Sequence, residues 1–274
     1  MPRSAMLVLA AAIANLLSPQ IQGQNPSNRP RFDAFEVATI KPATAELRTG
    51  RFIRMQSAQT FQVKNHTVNE LIAAAHDLTL RAISGGPRWT ESDRYDITAR
   101  TPGETRPTYD EQMTMLRDLL HDRFGLTFHR ERKVFSIYEI TLEKSGPRLE
   151  PSPLQPDDPS NVTSMVFPAS SGGIDHIVMP GRNASMAQFA SVLQRAILDR
   201  PVVDRTGLTG RYNFELEWTP DENQFGGQLP AGRPDLPKPG LFEAVQKQLG
   251  LKITATRGPI DTLVIDRIER PSNN

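Results

Sequence analysis

The chain has 274 residues, with 32 basic against 31 acidic side chains and no cysteine. The missing sulfur excludes a disulfide framework, a thiolate metal site, a cysteine nucleophile and a cysteine-linked lipid anchor. The near-zero net charge gives no general electrostatic reason to bind nucleic acid or an anionic membrane surface.

From the N-terminus, Arg3 precedes an apolar stretch running from Ala5 to Leu17, which the polar segment Ser18 to Gln24 closes. That stretch is shorter than the roughly 20 residues needed to cross a bilayer. A single positive charge ahead of a short apolar run is the pattern of a cleaved leader. Residues 1–24 therefore read as a signal peptide and 25–34, rich in Pro and Asn, as a linker. Loss of Arg3 with the leader makes basic and acidic residues equal in number. No later apolar run approaches membrane-spanning length.

An internal repeat organises the remainder. Leu116 to Phe128 aligns without gaps on Leu241 to Ile253, and the match continues through Arg132 with Arg257 and Ile140 with Ile265. Both copies read as an amphipathic helix stopped by glycine, Gly125 or Gly250, and then two strands joined by a short turn. A left-handed residue at each glycine is expected, so a valine at either position should cost about 1 to 3 kcal/mol.

Upstream, Arg94-Tyr95-Asp96-Ile97 matches Arg211-Tyr212-Asn213-Phe214, each opening a strand. Earlier still, Thr67 with Glu70 and Ser185 with Gln188 have the spacing of capping boxes, which satisfy exposed amides at a helix start. The expected fold is α+β, with two duplicated β-α-β-α-β-β units of mainly antiparallel sheet and packed helices. The first unit spans 35–147, with strands expected at Phe35 to Ile40, Arg51 to Met55 and Phe61 to Val63. A Pro-rich linker follows at 148–161, since proline cannot build a regular helix or central strand. The second unit spans 162–271 and carries a Gly/Pro-rich insertion at 223–240, read as a mobile loop.

Four segments in this order carry a family resemblance: Phe35 to Pro42, Ser84 to Trp89 with Arg94 to Ile97, Leu119 to Leu126 followed by His129-Arg130-Glu131, and Arg200 to Tyr212. Together they resemble a soil-associated family of secreted bacterial proteins of unknown function. The resemblance implies export and supplies no catalytic residues. In that family similar modules also follow membrane metallopeptidase sensors of the antibiotic-responsive type, although this chain has no His-Glu-x-x-His. A looser architectural resemblance is to the short periplasmic domains at the N-termini of secretins and outer-membrane receptors, on the helix ending Leu249-Gly250-Leu251.

The candidate chemistry is sparse. His76-Asp77, His121-Asp122 and Asp175-His176 are adjacent pairs, but neighbouring side chains diverge in direction, so adjacency makes no dyad. His121 and His129 straddle the Phe124-Gly125-Leu126 turn, where they could converge with Asp122 or Glu131. No metal-ligand spacing, nucleophile elbow, P-loop or dinucleotide fingerprint occurs, and no cofactor is implied. The repeated Arg94-Tyr95 and Arg211-Tyr212, flanked by Trp89 and Trp218, admit two readings. They form equivalent binding surfaces, for which Arg, Tyr and Trp are favoured anchors, or the tyrosines pack on the core and the arginines pair with acidic neighbours.

These features point to an extracytoplasmic, non-enzymatic interaction or ligand-binding module, whose partner is a protein or small molecule of the envelope or medium. One alternative is a secreted hydrolase using carboxylates with His121 or His129. A second is a regulatory domain that senses envelope stress. Expressed in a native-like bacterial host, the protein is expected to begin near Asn25 on N-terminal sequencing; a cytoplasmic product that keeps Met1 would contradict the leader.

Overall fold

The computed structural model describes residues 30–43, 50–155, 158, 160–169, 173–227 and 238–271. Residues 1–24, read above as a signal peptide, and residues 228–237 of the insertion lie outside the described residues. In the first half, β1 (Val37–Pro42), β2 (Phe52–Met55) and β3 (Thr60–Thr67) precede helix α1 (Val68–His76). Then come β4 (Ile83–Gly85), α2 (Trp89–Ser92), β5 (Arg94–Arg100), α3 (Tyr109–Phe124) and β6 (Thr127–Leu142). The second half opens with short strands β7 (Glu150–Pro151), β8 (Asn161–Val162) and β9 (Met165–Pro168), and then β10 (Ile174–Ala184). Helix α4 (Met186–Val192) runs on as a π turn, Leu193–Ile197, into β11 (Val202–Asp204) and β12 (Tyr212–Trp218). Helix α5 (Leu241–Ala244) likewise continues as a π turn, Val245–Leu249, before β13 (Leu251–Arg267). The fold is α+β.

Local chemistry explains where the helices begin and end. Thr67 caps α1 by accepting from the Glu70 amide, while the Glu70 carboxylate accepts from the Thr67 amide. Ser185 and Gln188 do the same at α4. Such a cap contributes about 1 kcal/mol. Two residues before each cap an asparagine adopts a left-handed conformation, Asn65 at φ 55° and Asn183 at φ 48°, and at each place the pairing with the neighbouring strand shifts register.

Three sheets result. One has the order β1-β5-β3-β2, the second runs β7-β12-β10-β8 with β9 also on β10, and the third runs β11-β6-β13-β4. The third sheet differs from the sequence expectation in a specific way. Where each half was expected to end in two strands joined by a turn, each ends in one continuous strand. The charged run Arg130 to Lys133 is an exposed span in the middle of the unbroken strand β6. Strands β6 and β13 pair antiparallel from Leu251 opposite Leu142 to Arg267 opposite Thr127. Strand β4 of the first half then joins β13 in parallel, and β11 of the second half joins β6 in parallel.

Each long strand thereby serves both cores. The core around Phe61, Leu71, Ile97 and Phe124 is completed by Leu263, Ile265 and Ile268 from the far end of the chain. The core around Phe189, Leu216, Trp218 and Leu249 takes in Ile140 from the first half. Burying such side chains contributes roughly 1.5 to 3 kcal/mol each, so neither half holds its own core complete.

The helix-ending glycines are left-handed, Gly125 at φ 59° and Gly250 at φ 65°, but their surroundings differ. A Cβ on Gly125 meets open space, whereas one on Gly250 would sit 2.2 Å from the Gly146 carbonyl oxygen and 3.0 Å from the Arg148 amide. The equal cost expected for the two valines is therefore corrected. Gly125→Val should cost about 1 to 2 kcal/mol from backbone strain, and Gly250→Val at least about 3 kcal/mol, because steric overlap adds to strain. Urea unfolding midpoints of the two variants check this; equal shifts would contradict it.

Candidate functional site

The residues singled out in the sequence are mostly engaged inside the fold. Arg94 donates to the Asn65 carbonyl at 2.7 Å and lies 3.3 Å from the Glu70 carboxylate. Arg211 donates to the Gln188 side chain at 3.0 Å and reaches toward the Asn183 carbonyl at 3.5 Å. Each arginine thus holds a left-handed asparagine and the reciprocal member of a capping box, the same device in both halves. Tyr95 is buried edge-on against Phe124, and Tyr212 packs against the second core. Trp218 is fully buried and donates to Gln224 at 2.8 Å. Trp89 packs partly on the first core beneath the Arg270 guanidinium.

The histidines scatter. His129 is half exposed, 2.8 Å from Asp266 and 3.5 Å from Glu131, and the Asp266 carboxylate raises its pKa. Adjacency misleads at Asp175-His176: contrary to the divergence expected of neighbours, the ring Nδ1 meets the Asp175 carboxylate at 2.6 Å, while Nε2 lies 3.1 Å from Glu217. A stacked Phe167 ring at 4.6 Å holds the imidazole in that plane. No cluster of metal-ligating side chains occurs among the described residues.

The concave surface lies elsewhere, where the C-terminal end of α1 meets α4. Three clefts of about 300, 400 and 290 Å³ open around this seam, within the range of small-molecule sites. Neither His121 nor His129 lines any of them, and nor do the six Arg, Tyr and Trp candidates. Gln194, in the π turn after α4, ties the seam together. Its side-chain amide donates to the Asp77 carbonyl at 2.9 Å and carboxylate at 3.1 Å, while its oxygen accepts from the Val202 amide at 3.2 Å. Asp77 can be reached this way because it ends α1 in a left-handed conformation. Arg195 approaches the same carboxylate at 3.6 Å. Asp77 stands more than a hundred residues from the adjacent Gln194 and Arg195, so nothing in the linear pattern joins them.

The 400 Å³ cleft has the exposed middle of the β6–β13 pair as its floor, with Arg130, Arg132 and Asp261. One wall is the turn from His76 to Thr79, and the other runs from Pro201 to Val203 and Arg205. His76 packs edge-on against Phe128 at 4.9 Å. Burial, and then the Arg130 and Arg117 charges, push its pKa down to about 4.

Fold and clefts together define an α+β protein of two interlocked halves with its concave surface at their seam. The profile of a family described as "Protein of unknown function (DUF3738)" matches residues 69–268. That is most of the chain, which belongs to this family. No curated protein and no solved structure matches it.

The His76 environment carries a pH dependence. Above its ordinary pKa of 6.5 the ring is neutral in both folded and unfolded chains and does not affect stability. As pH falls from 6.5 toward 4 the unfolded chain takes up a proton that the fold refuses, so stability declines, by about 1 to 3 kcal/mol from this group. His76→Gln should remove that part of the decline, seen as a smaller drop in urea midpoint between pH 7 and pH 4.5 than in the parent; parallel drops would contradict it.

Proposed function

We propose that the protein is an exported, non-enzymatic ligand-binding module whose site is the seam between α1 and α4. The observation that supports this reading most directly is the convergence of three clefts on one junction. There the side chain of Gln194 is fixed by hydrogen bonds to Asp77 and to the Val202 amide. A site held on helix ends and a sheet floor is pre-organised, which lowers the ordering cost of binding. Export is supported by the leader pattern of residues 1–24. It also agrees with the absence of cysteine, which leaves no thiol to oxidise outside the cell. Descent of the two halves from one duplicated unit belongs to the same reading, supported by the paired capping boxes, left-handed asparagines and arginine clamps. Neither His121 nor His129 lines these three clefts, which favours the binding reading over the hydrolase one.

Mature protein starting at Asn25, mixed with an extract of spent culture medium and passed through gel filtration, should retain a small molecule detectable by mass spectrometry. Thr79→Trp and Val203→Trp, two different ways of filling the 400 Å³ cleft, should each lose it while keeping the parental circular dichroism spectrum. Retention of nothing by the parent, or of the same molecule by both filled variants, would overturn the proposal.

A further inference from the structure

The floor of the 400 Å³ cleft shows an unusual distribution of charge. In a strand, residues two apart share a face, so Arg130 and Arg132 project on the same side of β6. Across the antiparallel pair their opposite numbers are Leu263 and Asp261, which share that face. At the two ends the face is apolar, with Phe128 opposite Ile265 and Ile140 opposite Ile253, and there it is covered by the two cores. Only the middle faces the cleft.

Like charges two residues apart on one strand repel, so such a pair is normally offset by carboxylates. No carboxylate comes within ion-pair distance of Arg130 or Arg132 among the described residues. Asp261 faces Arg132 across the ladder without closing an ion pair. Asp77, the other carboxylate of this cleft, is engaged by Gln194 and by Arg195, which lines the neighbouring cleft instead. Arg205 on the wall touches Glu139 only at 3.7 Å. Beside the arginines the lining turns apolar, with Leu78, Val203 and Ile260.

We infer that this cleft binds a small organic anion, its phosphate or carboxylate head on Arg130 and Arg132 with Arg205 beside it, and its apolar body against Leu78 and Val203. The inference deepens the ligand-binding reading above and rests on it. Guanidinium groups suit this role because their planar donors match oxyanions bidentately. The partial exposure of the arginines makes the binding salt-sensitive.

Calorimetric titration of the mature protein with phenyl phosphate, benzoate and benzyl alcohol tests it. Phenyl phosphate or benzoate should bind, and which of the two binds more tightly identifies the head group. Benzyl alcohol, with the same ring and no charge, should not bind. The Arg130→Gln, Arg132→Gln double variant should weaken binding at least tenfold. Arg257→Gln, on the same strand face but outside the cleft, should leave it unchanged. Raising salt from 50 to 500 mM should also weaken binding.

Binding of neither anion, or equal binding by the double variant, would overturn the inference. Recovery of an uncharged or cationic molecule in the retention experiment would overturn the anion assignment while leaving the ligand-binding reading intact. Retention of nothing there would overturn both.

Discussion

The antiparallel ladder between β6 and β13 is the constraint on which the rest depends. Its central residues lie in water, whereas its ends pass beneath opposite helical layers and deliver Leu263 and Ile265 to one core and Ile140 to the other. The parallel additions of β4 and β11 to its outer edges carry the exchange further, because each short strand hydrogen-bonds to the long strand of the other half. Separating the halves would open the sheet and both cores together. The chain is better described as one cooperative unit of two interlocked parts than as two domains on a linker.

The same arrangement creates the seam. With the sheet shared, α1 and α4 approach end to flank, and the left-handed Asp77 turns its carbonyl and carboxylate toward Gln194. Gln194 also holds the first residue of β11, so a single side chain links a helix end, a π turn and a strand entrance. The uncovered middle of the ladder becomes a cleft floor for the same geometric reason. The two layers of helices are centred on the ends of the strands, leaving a gap between them where charged residues remain wet.

Sequence reasoning succeeded where the determinants are local. The capping boxes at Thr67 and Ser185 and the left-handed glycines after α3 and α5 each depend on a few consecutive residues, and all are present. It failed at β6 because Arg130 to Lys133 interrupts the apolar pattern in the way a turn does, and only pairing with β13 shows that the interruption is a solvent-facing span. The seam was invisible for a related reason. Asp77 and Gln194 come together through the strand exchange, and no periodicity records which half a strand will pair with. Arg94 and Arg211 attracted notice as a repeated motif, and their hydrogen bonds turn out to brace the helix caps.

The ladder also sets an order of events during folding. Leu263, Ile265 and Ile268, which close the first core, are synthesised long after the helices and strands they pack against. Contacts of such long sequence separation form slowly, since chain closure must precede any gain from them. A chain emerging N-terminus first therefore keeps its first half open until β13 has been made.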